Sequence, residues 1–260
     1  MLQVAKIALA PLLLWQGAQV RRHALRLPEA AGPRAGQAGD GALKLRLLIV
    51  GDSSAAGVGA ATQDEALAGR LSQALAARLG GRVHWQLVAK TGHLSRDALS
   101  ALRATVLQPA DLMVTALGVN DVVGQVPPRA WLGTLAEIDA LARERAGIRY
   151  TLHSAVPPMH AFPLLPQPLR WLMGAHALRM NRALGRALVQ QPLRGLQALP
   201  AHLHGAEAAR LMAQDGFHPA PAGYALWAEA LAERLARDVE RLRLGPDQVP
   251  PPADRGLSPG

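Results

Sequence analysis

Four short stretches of the chain carry side chains able to act together on an acyl group. Gly51-Asp52-Ser53-Ser54-Ala55-Ala56-Gly57 sets a serine between glycines, directly after the apolar run Leu45-Arg46-Leu47-Leu48-Ile49-Val50. A serine in a tight turn, at a strand end and before a helix, can present its hydroxyl to solvent and turn its own N–H to the same side. Two plainer readings apply to that turn. Ser53 suits a helix cap, and Gly57-Val58-Gly59 suits a piece of a phosphate loop, although neither G-K-[ST] nor G-x-G-x-x-G is present. Lys90-Thr91-Gly92-His93 follows a second apolar run, and Gly118-Val119-Asn120-Asp121 follows a third. Gly92 offers an unobstructed backbone N–H and Asn120 a side-chain N–H. With the Ser53 N–H they make three donors at neighbouring strand ends, a set that suits the oxyanion of a tetrahedral intermediate, though Gly and Asn are also ordinary turn residues. Asp215-Gly216-Phe217-His218-Pro219 lies near the C-terminus. An aspartate three residues before a histidine in a loop can reach the imidazole, fix its tautomer and stabilise the imidazolium.

The elements between these stretches alternate. The run ending at Gly51 reads as a buried strand. Leu67, Leu71 and Leu75 mark a helix closed by Leu79-Gly80-Gly81. Val83 to Ala89 reads as a strand, Leu94 to Leu107 as a helix stopped by Pro109, and Asp111 to Leu117 as a central strand. Trp131, Leu135, Ile138 and Leu141 mark a third helix, and Ile148 to Val156 a fourth strand. A helix from Leu169 to Val189, a short strand near Leu196 to Leu199 and a last helix after Pro221 complete the pattern. Alternation of this kind predicts a parallel sheet with helices on both faces, in which ligands sit beyond the carboxyl ends of the strands. The four stretches lie there or in a loop that can reach there.

The flanks read differently. Residues 1–43 combine an apolar and basic helix with a Gly/Pro-rich linker over 28–42, residues 44–244 form one domain, and 245–260 read as a disordered Pro/Gly-rich tail. Ile7 to Trp15 is apolar but much shorter than the roughly 20 residues that span hydrocarbon. Gln16, Gln19, Arg21 and Arg22 follow it, where a signal peptide would end in a small-x-small site. Residues 1–27 therefore read as a short amphipathic or buried helix, with a peripheral membrane contact as the alternative; if the segment touches a bilayer, the arginines behind it keep the domain on the cytoplasmic side. The net charge of +9, nearly all arginine, suits anionic lipid, acidic substrates or a plain solvated face. Aromatics make up only 3% of the chain, which argues against a base-stacking nucleic-acid binder. The absence of cysteine rules out disulfides, thiol catalysis and Cys-ligated zinc. His202 and His204 form an H-x-H without a supporting carboxylate, so no metal and no cofactor is expected.

The four stretches, in this order and spacing, resemble the consensus blocks of the SGNH hydrolase superfamily, the GDSL-type esterases and lipases. Gly51, Asp52, Ser53 and Gly57 match its first block, Gly92 its second, Gly118, Asn120 and Asp121 its third, and Asp215 and His218 its last. Ser54 stands where the family's name has Leu. The resemblance implies a flavodoxin-like three-layer α/β/α sandwich around a central, mainly parallel five-stranded sheet. It implies Ser53 as nucleophile, His218 as general acid/base and Asp215 as its orienting carboxylate, with Ser53, Gly92 and Asn120 lining an oxyanion hole. Asp52 and Asp121 would brace their loops.

The substrate expected on that resemblance is a small-molecule acyl ester, cleaved in the manner of a carboxylesterase or lysophospholipase through an acyl-enzyme. An acyl thioester is the close alternative, and a non-catalytic lipid- or carrier-binding module a third. The Pro-rich segment from Pro157 to Met173 follows the fourth strand and can overhang the cleft. Its Met159, Phe162 and Leu165, with His93, are the expected substrate contacts; a core-packing insert is the equally plain reading.

Overall fold

The computed structural model describes residues 9–200 and 208–245. The His202/His204 pair and all but the first residue of the Pro/Gly-rich tail lie outside the described residues. In chain order the elements are α1 (Ala10–His23), β1 (Ala35–Ala38), β2 (Leu43–Gly51), α2 (Leu67–Leu79), β3 (Arg82–Ala89), α3 (Ser95–Ala104), β4 (Leu112–Ala116), α4 (Val119–Val123), α5 (Pro128–Ala146) and β5 (Tyr150–Ser154). A single 3₁₀ turn at Met159–Ala161 precedes α6 (Leu169–Leu188), β6 (Arg194–Gln197), α7 (Ala208–Leu211) and α8 (Pro221–Leu242).

The strands form one sheet in the order β1-β3-β2-β4-β5-β6. The five from β2 to β6 are parallel, as expected, but the sheet has six strands rather than five. β1 comes from the stretch read as linker and pairs antiparallel with β3, Ala35 opposite Gln86 and Ala38 opposite Val83. Its sequence Ala-Gly-Gln-Ala has three exposed positions in four, so no buried alternation signalled a strand.

Alternate β2 side chains serve two cores. Leu45, Leu47 and Ile49 pack with α2 and α8 through Leu71, Leu75, Trp227 and Leu231. Leu48 and Val50 pack with α3, α5 and α6 through Leu102, Trp131, Ile138 and Met180. Burial on both faces is what a parallel sheet requires, and it explains the near-continuous apolar run of β2. Arg46, the one charge between Leu45 and Val50, donates to both carboxylate oxygens of the buried Asp111 from its guanidinium, at 2.6 and 3.2 Å.

The chain runs from β2 outward to β3, then crosses back to β4 on the other side of β2. The order therefore reverses between β2 and β4, where a crevice opens beyond the strand ends. Ser53 follows β2 and Asn120 follows β4, so both stand at that point. α1 lies outside the sandwich. It contacts α6, and Gln16 is the one residue of the helix that is buried. Among the described residues no helix is long and apolar enough to cross a membrane.

Candidate active site

Ser53 lies in a long turn between β2 and α2, not directly before a helix. Asp52 N–H extends the sheet ladder to the Ala116 carbonyl, and the turn closes through Ala56 N–H to Asp52 O and Val58 N–H to Ser53 O at 2.9 and 3.0 Å. His218 arrives from the loop between α7 and α8. That loop is pinned as a narrow hairpin by Ala213 N–H to His218 O and Ala220 N–H to Leu211 O, both 2.8 Å. Tyr224, in the first turn of α8, donates its hydroxyl to Val58 O at 2.7 Å and so ties the two loops together.

Across this junction His218 Nε2 stands 2.8 Å from Ser53 Oγ, and His218 Nδ1 stands 2.6 Å from Asp215 Oδ2. The other Asp215 oxygen accepts the backbone N–H groups of Phe217 and His218, each at 3.0 Å. Burial would raise the Asp215 pKa, but donation from the His218 side chain and from these two amides outweighs it, and the carboxyl titrates below its ordinary value. An ionised Asp215 accepts from Nδ1–H, which leaves Nε2 free to accept the Ser53 hydroxyl proton.

The expected donors are placed unequally. Asn120 sits in the first turn of α4, started by Gly118 at φ +128°, where a Cβ would fall 2.5 Å from Val156. Asn120 Nδ2 donates to the His93 carbonyl at 2.9 Å, which anchors the amide and leaves its second N–H to point elsewhere. Gly92 occupies the exposed turn after β3 at φ +83°, with open space where a Cβ would lie. It lines neither of the cavities described below.

Asp52 and Asp121 both hold backbone. Asp121 accepts the Ser95 hydroxyl and N–H at the start of α3, at 2.8 and 3.1 Å. Asp52 Oδ1 accepts the hydroxyl and N–H of Ser54 at 2.8 and 3.0 Å, so Ser54 has a structural partner in the position where the family's name has Leu. Asp52 Oδ2 is buried without a hydrogen bond, and burial pushes this carboxyl up to about 6 against the lowering effect of Ser54.

Two cavities meet at His218. A small one of about 80 Å³ is walled by Ser53, Leu117, Ser154, Phe162, Phe217 and Trp227, with Trp227 Nε1 donating to Ser154 Oγ at 2.9 Å. A larger, open one of about 500 Å³ runs from Asn120 and His218 beneath α1. Phe217 borders both; its ring meets the Phe162 and His218 rings edge-on at centroid distances of 5.0 and 5.2 Å. Of the expected substrate contacts, Phe162 lines the small cavity and Leu165 the large one. Met159 lines neither: it is fully buried in the core beneath α6, because the 3₁₀ turn points it inward. His93 lines a separate surface depression with Glu29, Lys90 and Thr105 and reaches the site only through its carbonyl. Sequence reading missed Phe217, although it sits inside the Asp215–His218 stretch, and Trp227, which no spacing tied to the site.

A model of the GDSL-like lipase/acylhydrolase family matches residues 49–226, from β2 into α8. The chain belongs to this family. It is therefore an ester hydrolase of the GDSL, or SGNH, type. A GDSL-like esterase of Mycobacterium tuberculosis is 29% identical over 233 residues, covering 83% of this chain and 70% of its own length. Among solved structures, the lipase Lip_vut3 from a goat rumen metagenome superposes with a TM-score of 0.58 at 19% identity, over 74% of this chain and 97% of that one. The psychrotrophic esterase EstA from Pseudoalteromonas sp. superposes with a TM-score of 0.54 at 18% identity, over 75% and 98%. These likenesses establish the SGNH fold. α1 and β1 lie outside the stretch that the GDSL family model matches.

Proposed function

We propose that the chain hydrolyses carboxylic esters bearing an apolar chain, in the manner of a carboxylesterase or lysophospholipase, through an acyl-enzyme on Ser53. The observation that carries this reading is the unbroken chain of hydrogen bonds from Ser53 Oγ through the His218 ring to Asp215. His218 Nε2 takes the hydroxyl proton as Ser53 Oγ attacks the carbonyl carbon. The oxyanion is held by the Ser53 N–H and the free N–H of Asn120; Gly92 joins them only if its exposed turn moves toward the site. His218 then returns the proton to the leaving alcohol as the C–O bond breaks; water attacks the Ser53 ester with His218 again as base, the Oγ–acyl bond breaks, and His218 gives the proton back to Ser53 Oγ as the acid leaves. Lining by Phe162, Phe217, Leu165 and Met173 favours hydrocarbon over sugar. Labelling by a fluorophosphonate, with a screen of esters, thioesters and acetylated sugars, tests the reading, and Ser53→Ala is the control. Ester turnover and labelling, both lost in Ser53→Ala, are the expected result. A preference for thioesters would reassign the substrate, and hydrolysis that survives Ser53→Ala would overturn the mechanism.

A second reading concerns where the enzyme works. Leu14 and Trp15 are 73% and 60% exposed on α1, two turns before Arg21 and Arg22. Apolar side chains beside arginines suit peripheral binding to an anionic membrane surface, on its cytoplasmic face. Sedimentation with anionic vesicles, lost in the double variant Leu14→Ser/Trp15→Ser, is expected. Equal sedimentation of both proteins would exclude it.

A further inference from the structure

Helix α1 stands outside the stretch that the family model matches, yet it forms one side of the larger cavity. Ala10, Leu13, Gly17 and Val20 recur at three- and four-residue spacing, so they share the face turned to the domain, and Ala24 just past the helix end continues the lining. Leu165, Leu169, Leu172 and Met173 face them from the domain side, and the slot between ends on Asn120 and His218. α1 touches that wall through the partly buried Leu13 and Val20, but the slot beside them stays open. The helix's one buried residue, Gln16, clamps it through a polar pair, donating to the Gln167 carbonyl at 2.7 Å and accepting the Leu169 N–H at 3.2 Å. The open slot of about 500 Å³ leaves water against apolar side chains of both α1 and the domain, and an apolar occupant relieves that.

We propose that α1 is a substrate-binding element, and that the slot beneath it takes a linear hydrocarbon chain of the ester, either acyl or alcohol, with the ester carbonyl at Ser53. This rests on the Ser53–His218 reading of the site. Gly17 lies midway along the stripe and keeps the slot open. A Cβ added there would meet only Arg21 Nη1, at 3.8 Å, an ordinary contact. A longer side chain at this position therefore grows into the slot without disturbing the helix.

Gly17→Leu is tested with two series: p-nitrophenyl esters from acetate to decanoate, and alkyl acetates from methyl to decyl. In the wild type each methylene that enters the slot raises kcat/KM about two- to fourfold. In Gly17→Leu the long-to-short ratio of kcat/KM falls about tenfold or more in one series, and that series names the chain the slot receives. Gly17→Ala, too short to cross the slot, shifts the ratio less than about threefold and removes helix propensity as the cause. A ratio that stays at the wild-type value in both series, in an enzyme inactivated by Ser53→Ala, would overturn the role of α1 alone. Turnover that survives Ser53→Ala would overturn the site reading instead.

Discussion

Gly59 meets the carbonyl oxygen of Pro219 so closely that a Cβ placed on it would stand 2.3 Å away. This contact lets the Ser53 turn and the His218 hairpin share one surface. Gly59 also holds φ +99°, which an L side chain rarely adopts. Gly59→Ala therefore pushes the loops apart. Turnover is expected to fall about 10²-fold or more, since an ångström of misplacement at a proton-transfer contact costs that much, and fluorophosphonate labelling slows with it. Gly41→Ala is the control: φ is +78° but nothing lies within 4 Å of its Cβ. It carries the backbone strain of about 1 kcal/mol and spares the site. Equal turnover in both variants would refute the apposition argument.

Asp215→Asn keeps the shape of the hairpin but reverses a donor. The asparagine oxygen can still accept the two backbone N–H groups that Asp215 Oδ1 takes now. Its NH₂ would then face His218 Nδ1, which favours the tautomer with the proton on Nε2, where the Ser53 proton must go. Turnover should fall on the order of 10⁴-fold. Thermal unfolding at neutral pH, measured in parallel, separates this from collapse of the loop: a loss of activity that tracks a loss of folded protein would count against the tautomer argument.

Asn120→Ala removes a donor that the His93 carbonyl holds in place at 2.9 Å. Since its amide is anchored by one N–H and free at the other, the variant loses transition-state stabilisation of about 10²–10³-fold in kcat. KM should move little. A rise in KM at constant kcat would show that Asn120 binds ground-state substrate instead.

Much of the site was legible because its reacting groups sit in local patterns. Asp215 and His218 are three residues apart, and Ser53, Gly92 and Asn120 each follow an apolar run that had to be a buried strand. What was hidden came through packing. β1 carries no apolar alternation, and its pairing with β3 is set by edge hydrogen bonds rather than by burial. Met159 and Phe162 belong to one Pro-rich segment and look equivalent in sequence; the 3₁₀ turn buries the first in the core and leaves the second against the small cavity. Gly59 reads as half of a glycine pair until the Pro219 carbonyl is seen beside it. The larger cavity needs α1 and α6, more than 140 residues apart, and is joined by Gln16 and Gln167, whose types give no hint of it.

Asp52 gives the fold a pH dependence with a definite sign. The carboxyl is fully buried, Oδ2 has no partner, and ionisation is postponed from the ordinary 3.8 to about 6. The folded chain therefore keeps this proton where the unfolded chain has lost it. Its contribution to stability is full below 3.8, falls as pH rises, and is gone above about 6. The whole difference is about 3 kcal/mol. Asp52→Asn mimics the protonated form: its oxygen still accepts from Ser54, and its NH₂ takes the place of the buried O–H. At pH 4 the variant and the wild type should unfold at similar temperatures. At pH 7.5 the variant should be more stable by several degrees, because it escapes the cost of a buried charge. Thermal unfolding of both proteins from pH 4 to 8 reads the effect directly. Two curves separated by a constant offset would mean that the Asp52 charge is relieved in some other way, and that its proton does not follow folding.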